Sequence, residues 1–227
     1  MRRFFFYLVL FVYDASAQSE IIVSGALKDI MQGGDLSARI SLDTVRFSNA
    51  TYGLGVAESL EGEIIIIAGK CFRSNVEGEK VLTRQESDTK AAMLVRTEVK
   101  DFIHYKEMPA ITSIQDLEES LKMQGQKQYK GKPFSFLIKA RLSTVDYHII
   151  DWREGAEHAS SNHKQFAIHG SFIDDDVVIV GFYSDNHQGI FTPHSTNVHM
   201  HVYNPSKNVV GHVDGITSGS MVRILFR

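Results

Sequence analysis

Asn197-Val198-His199-Met200-His201-Val202-Tyr203 runs into Asn204-Pro205-Ser206-Lys207-Asn208 and then into Val209-Val210-Gly211-His212-Val213. Alternate side chains of a β-strand share a face, so His199 and His201 project together while Val198, Met200 and Val202 turn the other way, into a core. The middle segment is rich in turn formers, which predicts a β-hairpin. A hairpin symmetric about Ser206 and Lys207 sets His201 directly opposite His212. Opposite residues of an antiparallel pair share a face with Cβ atoms roughly 5 Å apart, and His199 lies one diagonal step along. All three rings then reach a single point, which predicts a metal site.

Three histidines without a fourth protein ligand resemble a catalytic zinc site, whose open position takes water or substrate, more than a closed structural one. Other divalent metals also suit three imidazoles. Asp214, two residues after His212 on the same face, is expected to receive an imidazole N–H and fix the ring tautomer. Spacing alone leaves a competing reading open. A chain with ten histidines produces a His-x-His pattern by chance, and such a pattern on a strand is then merely a polar face.

Around this hairpin the C-terminal part of the chain is almost purely β. Strands are expected at Phe134 to Leu142, Val145 to Trp152, Gln165 to Phe172, Val177 to Tyr183 and Met221 to Phe226, as a twisted antiparallel sheet or partial barrel. Arg153 to Lys164, with charges, small polar residues, His158 and His163, is expected to be an exposed loop. Upstream, Ser24 to Met31 fits a short helix ended by Gly33-Gly34. Glu63 to Ala68 and Cys71-Phe72-Arg73 read as a hairpin over Gly69-Lys70, and Ala91 to Val99 as a further strand. Ser113 to Met123 reads as an amphipathic helix capped by Ser113, with Ile114, Leu117 and Leu121 on one face.

Residues 1–17 read as a secretory signal: Arg2 and Arg3, an apolar run from Phe4 to Tyr13 too short to span a membrane, and Ala15-Ser16-Ala17 before Gln18. The chain is accordingly expected to be exported, to the periplasm or the extracellular space, with no membrane span in the mature form. The remaining sequence, about 210 residues, is long enough to bury a real core. It divides into an N-terminal α+β half, 18–130, and a β-rich metal-binding half, 131–227. A net charge of −3 without a basic block points away from a nucleic-acid partner. Cys71 is the only cysteine, which excludes an intrachain disulfide framework and a cysteine-rich zinc site.

Two distant groups of motifs resemble the α-acetolactate decarboxylase family. Gly53-Leu54-Gly55, Leu60-Glu61-Gly62-Glu63, Gly69-Lys70 and Phe72 form the first; Val180-Gly181-Phe182-Tyr183, His199-Met200-His201 and Gly211-His212-Val213 form the second. The resemblance extends from about Gly25 to Gly215. It implies an α+β fold, mostly antiparallel β-sheets in two packed β-rich halves with a few short helices. It implies decarboxylation of 2-acetolactate, or another small 2-hydroxy-3-oxo acid, to acetoin and CO2. Zinc would be held by His199, His201 and His212, Glu63 would lie in the active site, and a homodimer is a further implication.

Two positions depart from the family pattern. Aligning Phe134 to Leu142 with the family's corresponding strand places His148 where the family has an active-site arginine. Imidazole donates a hydrogen bond but gives no bidentate clamp on a carboxylate. The family also returns a second glutamate from a C-terminal tail, whereas Met221 to Arg227 contains no acid. Glu63 is the expected general acid, and a protonated His148 is expected to orient the substrate carboxylate. Without the resemblance, Glu63 reads as a charged strand end and His148 as a solvent-facing strand residue. His187 and His194, in the loop before the metal strand, read as ordinary exposed histidines. Two rival functions stay open, a zinc-dependent hydrolase of small esters or lactones and an exported, non-catalytic binding domain.

Overall fold

A computed structural model describes residues 19–78, 80–152 and 166–227. The signal reading over residues 1–17 and the loop reading over residues 153–164 lie outside the described residues. In chain order the elements are β1 (Ile21–Ser24), α1 (Leu27–Met31), β2 (Ile40–Ser41), β3 (Thr51–Ala57), β4 (Glu63–Ile67), β5 (Lys70–Glu77), β6 (Lys80–Gln85), β7 (Lys90–Glu98), β8 (His104–Met108), α2 (Ile114–Gln124), β9 (Phe134–Ile150), β10 (Ala167–Tyr183), β11 (Val198–Asn204), β12 (Val209–Thr217) and β13 (Val222–Phe226). The fold is α+β, two antiparallel sheets with a few short helices.

The first sheet has the order β1-β7-β3-β4-β5-β6, with β2 also paired to β7. Its central strand β4 reads Glu-Ile-Ile-Ile-Ile, a run of β-branched residues suited to a strand covered on both faces. Ile64 and Ile66 point to one side, with Leu42, Cys71 and Leu94. Ile65 points to the other, where Leu54 and Val95 of this sheet meet Leu137, Val180, Phe182 and Val210 of the second. The two sheets therefore pack face to face. Alternation along β4 places Glu63 on the same side as Ile65, toward the second sheet.

The second sheet has the order β10-β11-β12-β9-β13-β8, and β9 pairs with β10 as well, so β9, β10, β11 and β12 close into a small ring. Phe136, Ile138, Ile179, Met200, Val202 and Val213 fill one side of it, with Leu117 and Leu121 of α2. Ser113 caps α2, its hydroxyl accepting from the Asp116 N–H at 3.1 Å, and Leu117 and Leu121 are buried as the helical spacing predicts.

The pairs of strands expected within 134–152 and 165–183 are in fact single 17-residue strands, β9 and β10. The reason is a change of phase at their middle. Asp174 adopts φ 52°, and the ladder that joins Asp175 to Leu142 and Ile173 to Thr144 passes over it. On either side the inward alternation reverses: Leu142 and Val145 are both buried in the same cluster, as are Phe172 and Val177. Polar residues at this corner resemble a loop in the sequence, but Arg141 pairs with Asp174 and Asp176 across the strands and the ladder continues. Among the described residues no helix is long and apolar enough to cross a membrane.

Candidate metal centre

Strands β11 and β12 form the expected hairpin, with His201 opposite His212. The pairing then continues, His212 opposite His148 on β9 and His148 opposite His169 on β10. Four histidines thus lie in a row across the ring, with His199 beside His201 on the same face of β11. One ligand nitrogen from each of His199, His201 and His212 lies within 4.8 Å of the others.

Backbone carbonyls orient two of these rings. Nδ1 of His199 donates to the Phe191 carbonyl at 2.7 Å, and Nδ1 of His201 donates to the Ile64 carbonyl at 2.8 Å. A carbonyl only accepts, so both Nδ1 atoms carry the hydrogen and both Nε2 atoms carry the lone pair. His199 Nε2 faces His212 Nδ1 at 3.2 Å. Burial holds the His199 ring neutral, pushing its pKa down to about 4, and lowers those of His201 and His212 well below the usual value. Neutral imidazoles with lone pairs gathered at one point form a donor set that fits a divalent cation such as zinc.

The Phe191 carbonyl comes from the loop between β10 and β11, which is pinned from two directions. Its Ile190, Phe191 and Thr192 N–H groups all bond the His187 carbonyl. The first N–H groups of α1, on Leu27 and Lys28, donate to the carbonyls of Ile190 and Gly189, so the loop also satisfies donors that a helix start leaves unpaired. His187 belongs to this scaffold: its Nδ1 is 2.7 Å from Ser184 Oγ and its ring stacks on Phe191. His194 lines the cavity, with Nε2 3.2 Å from Gln32 Nε2.

Glu63 enters from the facing sheet. Gly62, at φ 106°, makes the turn into β4 where any Cβ would lie 1.9 Å from the Ser74 carbonyl oxygen. The Glu63 carboxylate is buried, with Oε2 3.4 Å from His201 Nε2 and Oε1 accepting from the Ile150 N–H at 3.4 Å. Burial pushes its pKa up to about 7, against the pull of His148 and of the Ile150 N–H.

His148 stands next to the triad, its ring centroid 4.7 Å from that of His212. Its Nδ1 donates to Asp214 Oδ2 at 2.7 Å. Asp214 therefore serves this ring, whereas its spacing from His212 suggested a role beneath the metal cluster. A β-bulge between Val213 and Gly215 explains the difference, because the extra residue falls at Asp214 and turns its side chain toward β9. His169 Nδ1 lies 3.9 Å from the same oxygen. The sequence reading missed His169, although extending the antiparallel register from β12 through β9 to β10 brings it beside His148.

The triad, Glu63 and His148 all open on one cavity of about 900 Å³. Apolar side chains such as Leu60, Met93 and Ile150 line one wall, and Asp146, His169 and Ser171 line another. A mostly apolar pocket with a few convergent polar groups is the usual form of a small-molecule site.

The sequence model of the alpha-acetolactate decarboxylase family matches residues 25–225. The chain belongs to the alpha-acetolactate decarboxylase family. Solved structures agree in fold. An alpha-acetolactate decarboxylase from Bacillus subtilis strain 168 superposes with a TM-score of 0.75 at 14% identity, over 90% of this chain and 83% of that one. An acetolactate decarboxylase from Bacillus subtilis subspecies spizizenii gives 0.72 at 16% identity, over 91% and 86%. A Staphylococcus aureus protein of unknown function, similar to alpha-acetolactate decarboxylase, gives 0.75 at 15% identity, over 91% and 84%. No curated protein sequence matches the chain. As a member of the alpha-acetolactate decarboxylase family, the protein is assigned to the carboxy-lyases that act on a small molecule.

Proposed function

We propose that the protein is a zinc-dependent decarboxylase that converts 2-acetolactate, or a close 2-hydroxy-3-oxo acid, to acetoin and CO2. The observation that carries this reading is the meeting of two sheets at one point. The second sheet contributes three imidazole nitrogens within 4.8 Å of one another, and the first contributes a buried carboxylate 3.4 Å from one of them. Loss of CO2 from a carbon next to a ketone leaves negative charge on the substrate oxygens, which must be stabilised before a proton arrives. His199, His201 and His212 would hold a divalent cation, which when bound would supply Lewis-acid stabilisation of that charge.

The remaining roles belong to the chain's own side chains. Glu63 delivers the proton to the carbon that has lost CO2, and its fixed place on one wall makes the delivery one-sided. His148 orients the substrate carboxylate through a single N–H, a less specific hold than the paired bonds of a guanidinium. Leu60, Met93 and Ile150 seat the alkyl groups and keep water from the reacting carbon. The signal-like residues 1–17 support a site of action outside the cytoplasm. Mass measurement of the mature chain, expected to begin at Gln18, checks that part.

The reaction is tested by giving the purified, zinc-supplied protein 2-acetolactate and, separately, small esters. Acetoin is the expected product, formed faster than any ester is cleaved and suppressed when metal is stripped. Ester hydrolysis without acetoin would overturn the proposal in favour of a metal-dependent hydrolase.

A further inference from the structure

We infer that Asp214 is a positioning residue for the substrate end of the site: it sets the His148 ring for the substrate carboxylate and has no part in holding the metal ligands. The inference rests on the decarboxylase reading above and on three observations. The bulge between Val213 and Gly215 takes Asp214 out of register with the metal hairpin. Its Oδ2 accepts from His148 Nδ1 at 2.7 Å. The nitrogens that orient His199 and His201 are already committed to the Phe191 and Ile64 carbonyls.

A carboxylate oxygen only accepts, so Asp214 holds one hydrogen of His148 on Nδ1, and the protonated ring turns its other N–H, on Nε2, toward the substrate carboxylate. The same bond stops the ring from rotating. Rotation matters because an imidazole, unlike a two-pronged guanidinium, does not impose its own geometry on a carboxylate. Asp214 supplies from outside the ring the orientation that a guanidinium carries in its shape.

The test uses the full chain with zinc supplied: wild type, Asp214→Ala, His148→Asn and the double variant. Zinc content, acetoin kinetics and the ring-nitrogen NMR signals of His148, identified by their loss in His148→Asn, are recorded for each. We expect Asp214→Ala to keep the wild-type zinc content, to raise KM roughly tenfold as a charge-assisted bond is lost, and to lose the hydrogen-bonded Nδ1–H signal of His148. The double variant is expected to be no worse than His148→Asn, the signature of residues acting as one unit. Loss of zinc in Asp214→Ala, or independent multiplication of the two effects, would overturn the inference. If wild type makes no acetoin, the decarboxylase reading fails, whereas zinc content and the His148 signal still decide what Asp214 holds.

Discussion

Glu63 takes its position from a strand that buries its neighbours on both faces and its chemistry from the histidines of the opposite sheet. Replacing it by glutamine keeps the volume and an oxygen for the Ile150 N–H but removes the proton donor. Glu63→Gln is expected to lose between about a hundredfold and ten-thousandfold in acetoin formation while retaining zinc, which metal analysis and a coupled rate measurement check together. An unchanged rate would remove Glu63 from the reaction. Cys71 gives an independent probe of the same sheet. Burial pushes its thiol up to about 12, and a protonated thiol in the core is inert. A disulfide reagent at pH 8 is expected to leave the folded protein unlabelled and to titrate one thiol after denaturation; rapid labelling of the folded chain would contradict the packing around β4. At this scale the three clustered histidines were legible because a strand repeats every second residue. Asp214 was legible as an acceptor of an imidazole N–H, but its partner His148 was not, because a bulge adds a residue without any change in composition to announce it.

Among the elements, β4 connects the core to the site. Ile65 is fully buried between the sheets, and Ile65→Ala is expected to destabilise the protein by about 2–5 kcal/mol through lost contacts and a cavity, read from denaturant unfolding. A loss well below 1 kcal/mol would mean that the sheets do not meet there. The turn before it has a different effect. Gly62→Ala places a Cβ against the Ser74 carbonyl at a positive φ, so both stability and activity are expected to fall as the start of β4, and Glu63 with it, shifts. Full activity in that variant would contradict the role of this turn. Periodicity disclosed the hairpin of β11 and β12, the hairpin of β4 and β5, and α2 with its Ser113 cap. It failed on β9 and β10, where side chains change phase at Asp174 and the polar corner imitates a loop. Ion pairs from Arg141 to Asp174 and Asp176, separated by more than thirty residues, keep the ladder intact and leave no local mark.

For the whole molecule, the candidate metal site is a bridge between two sheets that also meet through apolar contacts and through the Val210 N–H, which donates to Ser74 Oγ. The second sheet provides the imidazoles, while the first provides Glu63 and the Ile64 carbonyl that orients His201. A cation bound only by the folded chain stabilises it by mass action, about 2.7 kcal/mol at a hundredfold excess over the dissociation constant. Chelation is therefore expected to lower Tm by several degrees, and zinc to restore it. The central claim is that this bridge is a catalytic metal centre, and it is tested most directly by measuring bound zinc and acetoin release on the same preparations of wild type and His201→Ala. We predict about one zinc per wild-type chain with acetoin formed in proportion to it, and neither in His201→Ala despite a folded protein. Acetoin formation that persists in zinc-free His201→Ala, or a wild type that holds zinc and leaves 2-acetolactate unchanged, would contradict the account.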